Sequence, residues 1–266
     1  SAEPDTFYEY FILYSGDIPE IAGIDKIKKT YSNMSVTYRS VGDVFNGAYE
    51  IREITTAAYY RLLAAELIPE YDKVIYADVD MIFRLDMSEL YDCDLGDNYL
   101  GAVYALGLNT SDDARDYVHS IGLTPGDYFL SGFLLMNLAK IRRDGLTDKF
   151  VALAKDDFKY QDQDIMNIVC CGKISSLPYV YSMTVAAFEA VSLKTTLLDT
   201  KYMYNPFDRD PLLYSNIHYN GVKPWKDWCP NMDQWWECYR NSPIYDPAFY
   251  FSFFNNKLDY LDQLSL

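Results

Sequence analysis

The run YDKVIYADVDMIF (71–83) does most to limit what this chain can fold into. Val74, Ile75, Tyr76 and Ala77 are contiguous and apolar, which predicts a buried strand of the kind found in sheets flanked by helices. Two carboxylates, Asp78 and Asp80, follow at once and cannot enter such a core unpaired. On a strand, an i, i+2 spacing turns both side chains to one face. Their mutual repulsion there calls for a cation.

The bare motif carries little weight. The chain has 29 Asp in 266 residues, and chance alone gives about three D-x-D patterns. The pairs are Asp78/Asp80, Asp92/Asp94, Asp162/Asp164 and Asp208/Asp210, and the first is set apart by closing an apolar strand. Hard oxygen ligands suit Mg²⁺ or Mn²⁺, and an added imidazole tilts the choice toward Mn²⁺. Of the two histidines, His119 in SDDARDYVHS reads as a surface residue. His218 closes the apolar run of SNIHYNG, just ahead of Gly221 and Lys223, so a metal-capable nitrogen, backbone N–H groups and a cation fall in one short loop. DQDIMNIV places Asp162 and Asp164 at the head of an apolar helix, where carboxylates also complement the helix N-terminus without any chemistry.

The rest of the chain alternates. FYEYFILYS (7–15), MSVTYRSV (34–41), YLGAVYA (99–105) and YFLSGFLLMNL (128–138) read as further strands. Ile21, Ile24 and Ile27 recur at helical spacing, TTAAYYRLLAAELIPE opens at Thr55 or Thr56 and stops at Pro69, and 138–155 and 162–172 read as helices. This predicts an α/β sandwich with a mostly parallel sheet, whose ligand site lies beyond the carboxyl ends of the strands. After Pro178 the pattern loosens into a short helix and loop within 184–213, then a short strand and a Gly turn in SNIHYNGVKPW. From Asn231 the chain is aromatic and partly helical, which divides it into a main domain over 1–229 and a packed tail over 230–266.

A net charge of −16 argues against a nucleic-acid partner, which needs a basic face. A phosphate-bearing substrate would need a divalent metal or one well-placed Lys or Arg. No apolar run reaches the roughly 20 residues of a membrane span. Five cysteines without zinc-type spacing fit reduced thiols in a cytoplasmic protein. A start at Ser1 fits an excised or processed N-terminus.

Together, TTAAYYRLLAAELIPEYDKVIYADVDMIFRLDMSELYDCDLGDNYLGAV, YFLSGFLLMNLAKIRR, YQDQDIMNIV, LPYVYSM, IHYNGVKPW and WWECYRNSP resemble glycosyltransferase family 8. These are retaining enzymes of the GT-A fold. The resemblance covers most of residues 8–243 and implies a hexosyltransferase that moves glucose or galactose from a UDP-sugar to a glycan or lipopolysaccharide-type acceptor. By resemblance, Asp78, Asp80 and His218 hold the metal, and Lys223 with the backbone around Asn220 and Gly221 clamps the diphosphate. Ala77, Val79, Leu130 and Ser131 line the donor, Arg61 and Asp162 contact its sugar, Gln163 matches the residue nearest the reacting carbon, and Gln163, Asp162 and Asp164 are the catalytic candidates. It further implies attack on the face that UDP leaves, and at most peripheral membrane association.

Three departures accompany the resemblance. The chain matches the family from its second strand on, so the strand expected to hold uracil and ribose is missing. Leu130 stands where the family has Asn, and GAVYALG lacks an acidic residue that some galactosyl-transferring members carry. Loops 107–127 and 184–213 are expected to shape the donor and acceptor pockets. The competing readings are a non-catalytic nucleotide-sugar-binding protein, consistent with these departures, and a haloacid-dehalogenase-like phosphatase with Asp78 as nucleophile.

Overall fold

The computed structural model describes residues 5–18, 23–51 and 55–264, with side chains of the last helix through 257. Ile21, expected on the first helix, lies outside them. Strand β1 (Tyr8–Tyr14), helix α1 (Ile24–Thr30) and strand β2 (Met34–Ser40) form the first unit, with β1 and β2 parallel. A 3₁₀ segment over Thr56–Leu63 then runs into α2 (Ala64–Leu67). Thr55 occupies the N-cap position, but the Thr56 N–H donates to the Glu50 carboxylate instead (2.8 Å).

The middle of the chain comprises β3 (Lys73–Ala77), β4 (Met81–Ile82), α3 (Ser88–Asp92), β5 (Leu100–Tyr104), α4 (Leu106–Thr110), α5 (Asp112–Ser120) and β6 (Phe129–Asn137). It continues through α6 (Leu138–Arg143), α7 (Leu146–Leu153), α8 (Gln161–Val169) and β7 (Ile174–Ser176). The helix expected over 138–155 is two helices, because Gly145 takes a left-handed conformation (φ 62°) between them. The stretch 107–127, expected as a loop, carries α4 and α5.

The α/β layering is as expected, but the mostly parallel sheet is corrected. The four central strands lie in the order β3-β6-β5-β7, with β6 antiparallel to both β3 and β5, and β5 parallel to β7. A strand covered on both faces looks the same in sequence whichever way its neighbour runs. Leu134 and Met136 pack on one face with Leu100, Ala102 and the helices α7 and α8, while Phe133 and Leu135 pack on the other with Val103, Val180 and Met183.

The last third holds α9 (Val185–Ser192), α10 (Pro211–Tyr214), β8 (Ile217–His218), α11 (Met232–Asn241) and α12 (Pro247–Leu264). Strand β8 pairs antiparallel with β4, Met81 opposite His218, and this two-residue ladder brings the C-terminal third onto the end of β3. Trp236 anchors α11 and α12: it is 1% exposed and packs on Phe253, and its Nε1–H donates to the Pro224 carbonyl (3.1 Å). Trp236→Phe is expected to cost about 1–3 kcal/mol through the lost bond and the space left, read as a lowered urea midpoint.

Candidate active site

Asp78 lies one residue past β3, and its N–H donates to the Gly132 carbonyl on β6 (2.8 Å). Val79 and Asp80 form a turn rather than a continuation of the strand, so the convergence of the two carboxylates is made by the turn. Val79 between them is fully exposed at 101%. Beyond the turn, the Tyr219 N–H donates to the Asp80 carbonyl (3.0 Å), which locks β8 beside it.

Each carboxylate has one oxygen anchored and the other turned to a shared point. Asp78 Oδ1 accepts from Arg61 Nη2 (2.8 Å) and from the Tyr76 hydroxyl (2.8 Å). Asp80 Oδ2 accepts from Lys223 Nζ, which also donates to the Tyr219 carbonyl (2.6 Å). The free oxygens face His218 Nε2, at 3.7 Å for Asp78 Oδ2 and 3.5 Å for Asp80 Oδ1. Asp80 Oδ1 is buried and has no hydrogen-bond partner. His218 is itself buried, and its other nitrogen, Nδ1, lies 3.1 Å from the Ser182 hydroxyl, which fixes the ring with Nε2 toward the acids.

One divalent ion fits this donor set. The three candidate ligand atoms lie within 4.8 Å of one another, and ligands about 2.1 Å from an octahedral Mg²⁺-sized ion sit about 3 Å apart, so a small contraction suffices. Burial works to raise the Asp80 pKa, but the neighbouring His218 and Lys223 outweigh it and hold the group down to about 2. Asp80 is thus a ready anionic ligand at neutral pH.

Arg61, 5% exposed, ties the floor of the site together. Besides Asp78 it donates from Nη1 to the Ser131 carbonyl (2.5 Å) and from Nε to the Ala58 carbonyl (2.9 Å), and it lies over the Tyr76 ring at 4.4 Å. Its Nε is 3.2 Å from Asp162 Oδ2, an oxygen left without a hydrogen bond because the Nε hydrogen goes to Ala58. Burial raises the Asp162 pKa to about 6; Arg61 opposes the rise, and Asp78 adds to it.

Gln163 follows on α8 and reaches the same face, its Oε1 accepting from the Ser131 N–H (3.2 Å). Asp164, next on α8, has both carboxylate oxygens bonded within the fold. It is 0% exposed and accepts from the Tyr117 hydroxyl (2.5 Å), the Tyr128 hydroxyl (2.5 Å) and the Tyr160 N–H (2.8 Å). Ala77 ends β3, Leu130 is half-buried among apolar neighbours, and Asn220 and Gly221 are exposed beside Lys223, with Asn220 Oδ1 accepting from the Val185 N–H (3.4 Å) at the start of α9.

Sequence reasoning missed Gly132. A Cβ placed there would lie 2.4 Å from His218 Cε1 and 2.7 Å from Asp78 Oδ2, so the site exists because this strand residue has no side chain. The signal was a glycine inside an apolar strand, which marks close approach of another group. Tyr76 and Ser182 were also missed. Tyr76 bonds the acid two residues on, but its place in an apolar strand reads as core, and the partner of Ser182 lies 36 residues away.

A family model for glycosyl transferase family 8 matches residues 12–229. A lipopolysaccharide 1,2-glucosyltransferase of Escherichia coli is 30% identical over 177 residues, 64% of this chain and 50% of that protein. A lipopolysaccharide 1,3-galactosyltransferase of Salmonella typhimurium is 26% identical over 77% of this chain and 59% of its own length. The chain spans about half the length of the first curated relatives it matches. Among solved structures, the galactosyltransferase LgtC in complex with donor and acceptor sugar analogues superposes with a TM-score of 0.71 at 30% identity, over 88% of this chain and 85% of that one. With the match spanning most of its length and the same α/β architecture, the chain belongs to glycosyl transferase family 8 and has the GT-A fold.

Proposed function

We propose that this chain is a retaining hexosyltransferase, taking glucose or galactose from a UDP-sugar to a glycan or lipopolysaccharide-type acceptor. The observation that carries the reading is the convergence of Asp78 Oδ2, Asp80 Oδ1 and His218 Nε2 on one point, with Lys223 beside it. These three atoms would hold Mn²⁺ or Mg²⁺, which when bound supplies Lewis-acid stabilisation of charge on the departing diphosphate. Lys223, already oriented by Asp80 and Tyr219, adds a cation at the same place.

Asp162 and Arg61 then bound the donor-sugar side, and Gln163 offers its amide beside the reacting carbon. The residue beside that carbon carries an amide, a poor nucleophile, while Asp164 accepts three hydrogen bonds inside the fold and Asp162 faces Arg61. Attack by the acceptor hydroxyl on the face that UDP leaves is therefore favoured, with the proton passing to the diphosphate. A cytoplasmic setting with at most peripheral membrane contact agrees with the free cysteines and with the lack, among the described residues, of a helix long and apolar enough to cross a membrane. We divide the chain into a catalytic domain over 1–229 and a tail over 230–266, which the Lys257–Asp227 ion pair (2.7 Å) and the Trp236–Pro224 bond tie to it.

The test is thermal unfolding with UDP, with and without Mn²⁺, followed by a UDP-hexose turnover assay that reports the product anomer. UDP with Mn²⁺ at a hundred times its Kd is expected to stabilise the fold by about 2.7 kcal/mol, and Asp78→Asn to abolish the metal-dependent part. No shift with wild type overturns the site, and an inverted product overturns the mechanism.

A further inference from the structure

We infer that Asp164 and Tyr128 act as a positioning pair that decides which end of the Gln163 amide faces the donor. The inference rests on the reading of Gln163 as the residue beside the reacting carbon. Tyr128 is 0% exposed, one residue before β6. Its hydroxyl has one hydrogen, and that hydrogen is spent on Asp164 Oδ1 at 2.5 Å. Toward any other neighbour the Tyr128 oxygen can therefore only accept. The neighbour it meets is Gln163 Nε2, at 3.4 Å.

At the other end of the same amide, the Ser131 N–H can only donate, and it meets Gln163 Oε1 at 3.2 Å. An amide turned over would set its NH₂ against the Ser131 N–H and its oxygen against an acceptor-only hydroxyl. Both contacts would be lost. The two partners thus fix one orientation, with the carbonyl oxygen on the Ser131 side. A carbonyl oxygen there lies where positive charge develops on a sugar losing its diphosphate, while an NH₂ group would oppose it.

The other oxygen of Asp164 has donors of its own, apart from Tyr128. Tyr117 and the Tyr160 N–H share Asp164 Oδ2 at 2.5 and 2.8 Å. Gln161, two residues before Gln163, keeps a left-handed backbone (φ 47°), with its Nε2 donating to the Tyr49 carbonyl (2.8 Å). Such a conformation in a residue other than glycine persists only where its surroundings over-determine it.

Tyr117 provides the control, because its hydroxyl also bonds Asp164 but has no bond to Gln163. Tyr128→Phe is expected to lower kcat about tenfold through loss of orientation, with KM for the UDP-sugar unchanged. Tyr117→Phe should lose similar stability and keep kcat within about twofold, as a support remote from the reacting atoms does. In a Gln163→Ala background, Tyr128→Phe should cost no further kcat. Equal kcat losses in the two Phe variants, a full Tyr128→Phe loss in the Gln163→Ala background, or a glycosyl adduct trapped on Asp164 would overturn the inference. A readout independent of turnover is the Gln163 side-chain NH₂ resonance, expected to shift in Tyr128→Phe and to stay in Tyr117→Phe. If wild type transfers no sugar, the functional reading fails, whereas an unmoved NH₂ resonance in Tyr128→Phe overturns the positioning pair itself.

Discussion

Gly132→Ala is expected to lower turnover by at least about 100-fold, the loss that follows from displacing a reacting group by about 1 Å. The added methyl would fall 2.4 Å from His218 Cε1, 2.7 Å from Asp78 Oδ2 and 3.0 Å from His218 Nε2. None of these neighbours is free to retreat. His218 is buried against Ser182, and Asp78 is held by Arg61 and Tyr76. Overpacking of this kind costs about 1–3 kcal/mol, so the fold should survive while the stabilisation by UDP with Mn²⁺ disappears. Circular dichroism of the variant, with thermal shifts in UDP alone and in UDP with Mn²⁺, separates the two effects. Retention of the Mn²⁺-dependent shift would show that Gly132 does not shape the site.

Arg61→Met should be the other severe change, and it acts on stability as well as on turnover. The guanidinium is the only cation bonded to Asp78 among the described residues, and it is the one within 4.0 Å of Asp162. Burial opposes its charge, yet Asp162 and Asp78 hold its pKa well above the usual arginine value. Removing it leaves two facing acids without a counter-charge, and breaking a buried pair by deleting one partner costs about 3–5 kcal/mol. The Ser131 carbonyl also loses its donor, which loosens the segment that presents Gln163. Arg61→Lys should recover only part of the loss, because one ammonium cannot span Asp78, Ser131 and Ala58 together. Urea unfolding of wild type and both variants, with kcat alongside, tests this. A Met variant as stable as wild type would remove Arg61 from its structural place.

Much of the site was legible because it is written in residue types with strong chemical preferences. Asp78 and Asp80 after an apolar strand, and a lone His218 followed by Lys223, are groups that metals and phosphates select. Their separation of some 140 residues is no obstacle to reading them. Asp164 shows the limit of such reading: its carboxyl group looks the same in sequence whether or not three donors inside the fold meet it, as they do here. The direction of β6 was hidden likewise, since Phe133 to Met136 are buried on both faces and carry no mark of their neighbours' polarity.

The sequence by itself determined the alternation of strands and helices, the apolar strand that ends in two acids, and the set of ligand types an acidic chain needs to hold an acidic sugar nucleotide. These follow from side-chain chemistry and periodicity, which are local properties. Only the tertiary structure decided that a turn, rather than a strand, aims Asp78 and Asp80 at one point, that β4 and β8 bring His218 there, and that Gly132 leaves the space. It also set the hydrogen of Tyr128 on Asp164, and with it the face that Gln163 presents. Each of these depends on distances between segments far apart in the chain, and such distances are fixed by packing, which no single stretch of residues encodes.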